Sequence, residues 1–332
     1  MQRWLERQWY KNTSRLTVWL NFPLGCLFIA LLAFRHFLYR IGILGSWRSP
    51  VPVIVVGNIT VGGTGKTPLV IWLANQLKAC GYTPGIISRG YKGAAKAPKE
   101  VLGANLASLV GDEPLLMARR TSCSVWIGKD RPAAARELLK AHPECDVIIS
   151  DDGLQHYALQ RDFEIVVIDG ARRYGNKLML PFGPMREPLG RLRFVDAVVV
   201  NGLGPVKASE FQMQLSGDLF YSLLSPEKTV RADYFHNKKI HAVAGIGNPS
   251  RFFNYLRGLG LDIVEHPFSD HHQFQTADLQ IPGADIILMT EKDAVKCLDF
   301  ARDNVWVLPV EARVSGGLED KVIEKIESFY GR

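Results

Sequence analysis

The sequence predicts an α/β protein: a mostly parallel sheet domain, a second smaller α/β domain after it, and a helix of different character before it. Three observations carry this. From residue 51 onward, β-branched runs alternate with helix-period patterns, the order that gives parallel strands joined by crossover helices. A polar stretch at 205–239 separates two such series, and residues 16–34 hold no charge at all. The expected organisation is an N-terminal helical segment over 1–45, a first domain over 46–204, a linking β-ribbon over 205–239 and a smaller domain over 240–332.

The N-terminal segment concentrates the charge. The 332 residues carry a formal +7, and in the first fifty Arg3, Arg7, Lys11, Arg15, Arg35, Arg40 and Arg48 face Glu6 alone. The rest of the chain is nearly neutral, so the basic balance argues for an anionic partner at the N-terminus and not for nucleic acid. The uncharged run is just long enough for a bilayer core of about 30 Å, but Asn21, Pro23 and Gly25 interrupt it. Basic flanks with Trp4, Trp9, Tyr10, Trp19 and Tyr39 favour a helix lying in an anionic membrane surface. The long basic lead and the continuation Phe34-Arg35-His36-Phe37 speak against a cleaved leader. Hydrophobic residues at 47% and charged residues at 22% exclude disorder. Five scattered cysteines with no Cys-x-x-Cys pair argue against a disulfide framework or structural zinc, and for a reducing compartment.

Residues 51–56 read as a short buried strand ended by Gly57-Asn58. Thr60, Val61, Gly62, Gly63, Thr64, Gly65, Lys66 and Thr67 follow, then a helical pattern over 68–77. Strand, glycine-rich loop and helix form the context that a phosphate-binding loop requires, which makes the first domain P-loop NTPase-like. The glycines let main-chain N–H groups close on a polyphosphate. Lys66 is placed to reach the β- and γ-phosphates, and Thr67 to put its hydroxyl on Mg²⁺ at the helix start. Thr60 stands where the usual pattern has Gly. The loop implies a nucleoside triphosphate and leaves the acceptor open.

The remaining elements follow in order. A strand over 83–88 runs into Arg89-Gly90-Tyr91, and a surface loop over 92–100 holds Lys92, Lys96 and Lys99. Gly111-Asp112-Glu113-Pro114 opens a helix; strands are expected at 123–127, 146–150, 163–169 and 197–201, with a helix over 132–141. The second series has a strand from Ile240, Asn248 as N-cap with Pro249 behind it, and a helix over 249–257. Strands at 261–265, 285–289 and 305–309 and a helix over 291–299 complete it. Ligands are expected beyond the carboxyl ends of the strands.

Phosphoryl transfer needs a carboxylate for Mg²⁺, cations for the developing charge and a base for the acceptor. Asp151 and Asp152 end an apolar strand, the natural place for the acidic metal partner, with Asp169 as the rival. Asp112, taken alone, reads as a helix cap. Asp270-His271-His272 makes a poor core sequence and a plausible proton-handling site. Three prolines around Arg186-Glu187 hold that pair in a rigid loop.

The combination of residues 57–68 with Ser88-Arg89-Gly90-Tyr91, Gly111-Asp112-Glu113-Pro114, Asp151-Asp152-Gly153-Leu154-Gln155-His156, Arg186-Glu187-Pro188, Asp270-His271-His272 and Thr290-Glu291-Lys292-Asp293 closely resembles the tetraacyldisaccharide 4′-kinase family, the membrane-associated lipid A kinases of Gram-negative bacteria. The resemblance runs through the whole chain in order, and even Thr60 matches it. It implies transfer of the γ-phosphate of ATP to the 4′-hydroxyl of a tetraacylated glucosamine disaccharide 1-phosphate, at the cytoplasmic face of the inner membrane. It also implies a site between two α/β domains. Carried over, Asp112 and His271 form an acid–base pair, with His271 supporting Asp112 as it takes the hydroxyl proton. Asp152 and Glu187, with Thr67, form the Mg²⁺ environment. Asp151, Arg186 and His156 position phosphate or support the metal, and Arg89 and Arg131 are candidates for the anionic substrate. ATP, Mg²⁺, the lipid A precursor and an anionic membrane are the partners implied; neither nucleic acid nor a protein partner is.

Two other readings remain. In a membrane-associated GTPase or partitioning ATPase, guanine recognition wants Asn/Thr-Lys-x-Asp, and Thr290-Glu291-Lys292-Asp293 has the wrong order. In a nucleotide-gated scaffold, Asp112 and the 270–272 motif would be idle. The anchor suits a substrate whose acyl chains stay in the bilayer, so deleting residues 1–35 should harm lipid turnover far more than ATP binding.

Overall fold

The computed structural model describes residues 9–10, 15–91, 93–94, 97–300 and 302–331, and for 15–22 the backbone alone. Arg3, Trp4, Arg7, Lys11, Lys92 and Lys96 lie outside the described residues, as does the side chain of Trp19. The first helix, α1 (Arg15–Arg40), runs unbroken through Pro23. Along it Leu24, Leu27, Leu31, Phe34, Phe37 and Ile41 form an exposed apolar stripe at three- and four-residue spacing. Phe28 and Leu32 pack instead against the core around Val53, Ile59 and Leu159, and His36 stacks on Tyr157 with ring centres 4.7 Å apart.

The chain continues β1 (Val53–Gly57), α2 (Lys66–Ala79), β2 (Pro84–Ser88), β3 (Lys99–Glu100), α3 (Asp112–Thr121), β4 (Val125–Ile127), α4 (Arg131–Ala141), β5 (Val147–Asp151), β6 (Phe163–Asp169), β7 (Ala197–Asn201) and β8 (Phe211–Ser216). Then come β9 (Leu219–Ser222), β10 (Thr229–Arg231), β11 (Ile240–Ala244), α5 (Pro249–Gly258), β12 (Ile263–Pro267), β13 (Ile286–Thr290), α6 (Glu291–Ala294), β14 (Val305–Leu308), β15 (Glu311–Ser315) and α7 (Leu318–Tyr330). The first sheet has nine strands in the order β15-β8-β7-β6-β1-β5-β2-β4-β3, and the second six in the order β10-β9-β14-β13-β11-β12. β1 is central: Val55 pairs in parallel with Ser150 of β5 on one side and with Glu164 of β6 on the other. Chain order reverses at β1, so the crevice beyond its carboxyl end is where a ligand belongs.

The domain boundaries differ from the sequence expectation. Residues 205–239 are not one ribbon: β8 extends the first sheet beside β7, whereas β9 and β10 join the second. Nor does the last segment stay with 240–332. β15 pairs antiparallel with β8, and α7 packs Leu318, Val322 and Ile326 into the core of the first sheet. The reason is patterning: Met213 and Ala312 point their apolar face under α2, and burying that face needs a covering helix. The chain thus crosses between the lobes twice. Two smaller expectations also change. Asn248 makes no side-chain cap, and the helix expected at 291–299 is a single turn at α6.

Because β15 and α7 return to the first sheet only after the whole second lobe, their packing should be felt by the whole first lobe. Leu318 is fully buried, and Leu318→Ala should cost about 2–5 kcal/mol. Urea unfolding followed by circular dichroism checks this, with the midpoint moving down and ATP protection still present.

Candidate active site

The loop between β1 and α2 is shaped by its glycines and two asparagines. Gly62 and Gly65 have φ of 114° and 96°, a region that side chains rarely adopt. Asn201 at the end of β7 donates from Nδ2 to the Thr64 carbonyl at 2.8 Å, and a Cβ at Gly65 would lie 2.1 Å from that nitrogen. Asn58 reaches the Gly62 carbonyl from below at 3.4 Å. Thr60 is buried and bridges Met185, and the Val61 N–H donates to the Pro184 carbonyl at 2.7 Å. The loop's first half is therefore pinned to the Pro181–Glu187 loop, while Gly65 caps α2 and Lys66 opens it.

Charge gathers where β5 ends beside this loop. Asp152 has a φ of 47°, which turns its carboxylate to Lys66 Nζ at 3.4 Å and to Arg186 Nη1 at 3.4 Å. Burial pushes the Asp152 carboxyl up, but Lys66 and Arg186 outweigh it and its pKa is lowered. Asp151 is the reverse case. Burial, with Glu113 and Asp152 nearby, pushes it up to about 7. Ser88 Oγ donates to its Oδ2 at 3.0 Å, and its Oδ1 is buried with no hydrogen-bond partner among the described residues. Glu187 is buried in the same wall, but Gln155 Nε2 donates to Oε1 at 2.7 Å and Tyr157 and Arg191 hold Oε2. Asp169, the rival metal acid, is paired with Arg251 at 2.7 Å.

The candidate substrate residues separate. Arg89 is exposed at the carboxyl end of β2. Arg131 is not at the surface: it is buried, donating to the carbonyls of Gly128 at 3.1 Å and Asp151 at 2.8 Å. Its main-chain N–H donates to His156 Nε2 at 3.4 Å, and burial beside that arginine lowers the His156 pKa to about 4. Arg131 is thus a strut under the Asp151–Asp152 turn.

Asp112 and His271 meet although 159 residues separate them. His271 Nδ1 lies 2.9 Å from Oδ2 and 3.0 Å from Oδ1; the ionised carboxylate only accepts, so Nδ1 carries the proton. Burial would raise the Asp112 pKa, but the hydrogen bond from His271 and the charges of Lys292 and Lys296 bring it down to about 2. Asp112 is the first residue of α3 and Gly111 the cap, so the capping reading is replaced by this pair. Lys292 makes ion pairs with Glu113 at 2.8 Å and Asp270 at 3.3 Å. Lys296 lies 3.9 Å from Asp112 and 2.6 Å from buried Asp293. The two lobes also touch at Gly63 and Gly247, where a Cβ on Gly247 would lie 2.7 Å from the Gly63 nitrogen. Asp270, the neighbour of His271, lies at the same contact, its Oδ2 3.4 Å from a Cβ placed on Gly247.

A family model described as tetraacyldisaccharide-1-P 4′-kinase matches residues 17–327. The chain belongs to this kinase family. A tetraacyldisaccharide 4′-kinase from Methylobacillus flagellatus is 49% identical over 324 residues, covering 98% of this chain and 96% of that one. One from Azoarcus is 51% identical over 313 residues, covering 93% and 92%. Among solved structures, LpxK from Aquifex aeolicus in complex with ATP is similar with a TM-score of 0.76 and 30% identity, covering 92% of this chain and 98% of that one.

Within this 4′-kinase chain, sequence reasoning missed Lys292, Lys296, Asn201 and Glu113 as parts of the site. The motif Thr290-Glu291-Lys292-Asp293 was the available signal: it carried part of the resemblance and spoke against guanine recognition, but gave Lys292 no role. Two predictions follow from the geometry. The folded Asp112 pKa lies below the unfolded one, so its ionised form stabilises the fold. That contribution, about 2 kcal/mol, is complete above about pH 4 and lost as pH falls through about 2. Urea unfolding of wild type and Asp112→Asn should therefore differ at pH 7 and converge in acid. Gly247→Ala should push the lobes apart and lower turnover roughly a hundredfold with the melting temperature kept; an unchanged kcat would show that the two glycines do not meet during turnover.

Proposed function

We propose that the chain transfers the γ-phosphate of ATP to the 4′-hydroxyl of a tetraacylated glucosamine disaccharide 1-phosphate, working at the cytoplasmic face of the inner membrane. The observation that carries the mechanism is the Asp112–His271 pair, assembled from opposite lobes beside the phosphate loop. The hydroxyl gives its proton to Asp112 as its oxygen bonds to the γ-phosphorus, the bond to the β-phosphate oxygen breaks, and ADP leaves. A carboxylate with a pKa of about 2 is a weak base. A loose phosphoryl-transfer transition state asks mainly for alignment and charge stabilisation, so a weak but oriented base suffices. His271 orients Asp112, Lys66 takes the β- and γ-phosphates, and the N–H groups of 60–67 cradle them.

Mg²⁺ fits the oxygen donors here. Among the described residues there is no group of three or more His, Cys, Asp and Glu able to hold a metal, which suits an ion that binds through one or two carboxylates and substrate phosphates. Thr67 and Asp152 are the residues to hold it, and it would neutralise charge on the β- and γ-oxygens. Glu187, with both oxygens engaged, positions the Arg186 loop instead of holding the ion outright. Asp151, held by Ser88, supports Asp152 from behind. Arg186 positions phosphate, and Arg89 at the open mouth takes the substrate's 1-phosphate. His156, kept neutral, and Arg131 brace that turn.

The exposed stripe of α1 supports docking on lipid, where the acyl chains of the acceptor stay. One described helix, over Pro23–Arg40, is long and apolar enough to cross a membrane by length and composition. With its other face packed on the protein, lying in the surface is the reading adopted. Labelled ATP and a 1-phosphorylated tetraacyldisaccharide in mixed micelles test the proposal. Wild type should yield a doubly phosphorylated lipid, and Asp112→Ala at least about a hundredfold less. ATP hydrolysis without lipid product would overturn the reaction; full transfer by Asp112→Ala would overturn the base.

A further inference from the structure

Residues 9 and 10 lie ahead of α1 and yet sit at the nucleotide loop. Trp9 is 8% exposed. Its Nε1 donates to the Pro181 carbonyl at 3.0 Å, and its own carbonyl accepts from the Asn176 N–H at 2.8 Å. Asn176 in turn donates from Nδ2 to the Phe182 carbonyl at 3.0 Å. Trp9 thus clasps the outer end of the Pro181–Glu187 loop. The inner end of the same loop holds the phosphate loop, through the Pro184 carbonyl to the Val61 N–H and the Arg186 N–H to the Ile59 carbonyl, both 2.7 Å.

Tyr10 touches the phosphate loop directly, with its hydroxyl 3.5 Å from the Val61 carbonyl. The Arg172 guanidinium lies 5.1 Å from the centre of its ring, a cation–π distance. Arg172 Nη1 also reaches the Gly247 carbonyl of the other lobe at 3.5 Å, next to the contact of Gly247 with Gly63. Trp9 and Tyr10 therefore brace the phosphate loop from the Pro181 side and, through Arg172, from the opposite lobe. No room for close backbone approach is left to chance: at Gly175 a Cβ would lie 2.6 Å from the Trp9 carbonyl.

We propose that Trp9 and Tyr10 are positioning residues for ATP: the segment ahead of the membrane-facing helix clasps the loop that shapes the nucleotide site, so ATP affinity depends on it. This rests on reading residues 60–67 as the ATP site. It departs from the expectation that deleting residues 1–35 harms lipid turnover far more than ATP binding, since that deletion removes both clasping residues.

The test uses the full-length chain in mixed micelles, with KM for MgATP and KM for the lipid measured separately, and binding of a fluorescent ATP analogue without lipid. Trp9→Ala should raise KM for ATP and weaken analogue binding roughly tenfold, with the lipid KM within about twofold of wild type. Trp9→Phe, which keeps a buried ring but removes the Nε1 donor to the Pro181 carbonyl, should recover only part of the loss. Tyr10→Leu, which removes the ring face from Arg172 and the hydroxyl from Val61, should raise KM for ATP even if Trp9→Ala fails to fold. A rise in the lipid KM alone, or no change in either, would overturn the inference. Lys66→Ala separates the two readings: if it leaves analogue binding intact, the nucleotide site is wrongly placed. If it abolishes binding while both Trp9→Ala and Tyr10→Leu are neutral, only the clasp is wrong.

Discussion

The contact of Asp112 with His271 is the constraint on which the site depends, because neither lobe contains it alone. Asp112 starts α3 of the first lobe; His271 follows β12 of the second in a left-handed backbone position, φ 56°. Bringing them to hydrogen-bond distance requires the lobes to be shut. Around the pair, Glu113 meets Lys292, Arg120 meets Glu291 and Asp169 meets Arg251. Partly exposed ion pairs of this kind contribute little each, so their use is in register: they set the angle at which the lobes close. The Gly63–Gly247 approach sets the limit. With no side chain on either residue, the backbone that carries the phosphates comes up against the lobe that carries the histidine.

The same economy appears in the buried charges under the phosphate loop. Two adjacent carboxylates at the end of β5 face opposite fates because their surroundings differ. Asp152 is turned out to Lys66 and Arg186 and stays ionised, whereas Asp151 is turned in, against Ser88, and is pushed toward neutrality. Burying both charges would be costly. Arg131 relieves this by lying beneath the turn, with its guanidinium on main-chain carbonyls and its field on both acids. The residue expected to meet substrate is instead part of the foundation.

The N-terminal helix has a protein face and an apolar outer face, an arrangement for lying on a surface. In the proposed reaction the acceptor's chains are apolar and its head group is charged, which would confine enzyme and acceptor to one plane while ATP arrives from water. A helix that also carried the nucleotide loop's support on the stretch ahead of it would join those two arrivals in one structural unit.

Much of this was legible in the sequence because it is local. The phosphate loop announces itself through glycines at fixed spacing between a β-branched run and a helix, and the Asp151-Asp152 turn through its place at a strand's end. The motifs of residues 111–114 and 270–272 named two segments that the fold brings together. What the sequence by itself determined was therefore the α/β class, the loop, the family and the acidic and histidine candidates, since backbone conformation and periodicity depend on neighbours in the chain. The resemblance implied the pairing of Asp112 with His271, and the folded chain brings the two to 2.9 Å. Only the tertiary structure decided that Arg131 is buried while Arg89 is exposed, that β8 and β15 leave the linker and the last domain to complete the first sheet, and that Tyr10 lies at the phosphate loop. Each of these is set by which faces pack across distances of tens to hundreds of residues, and burial of one apolar face against another carries no signature in the spacing of either.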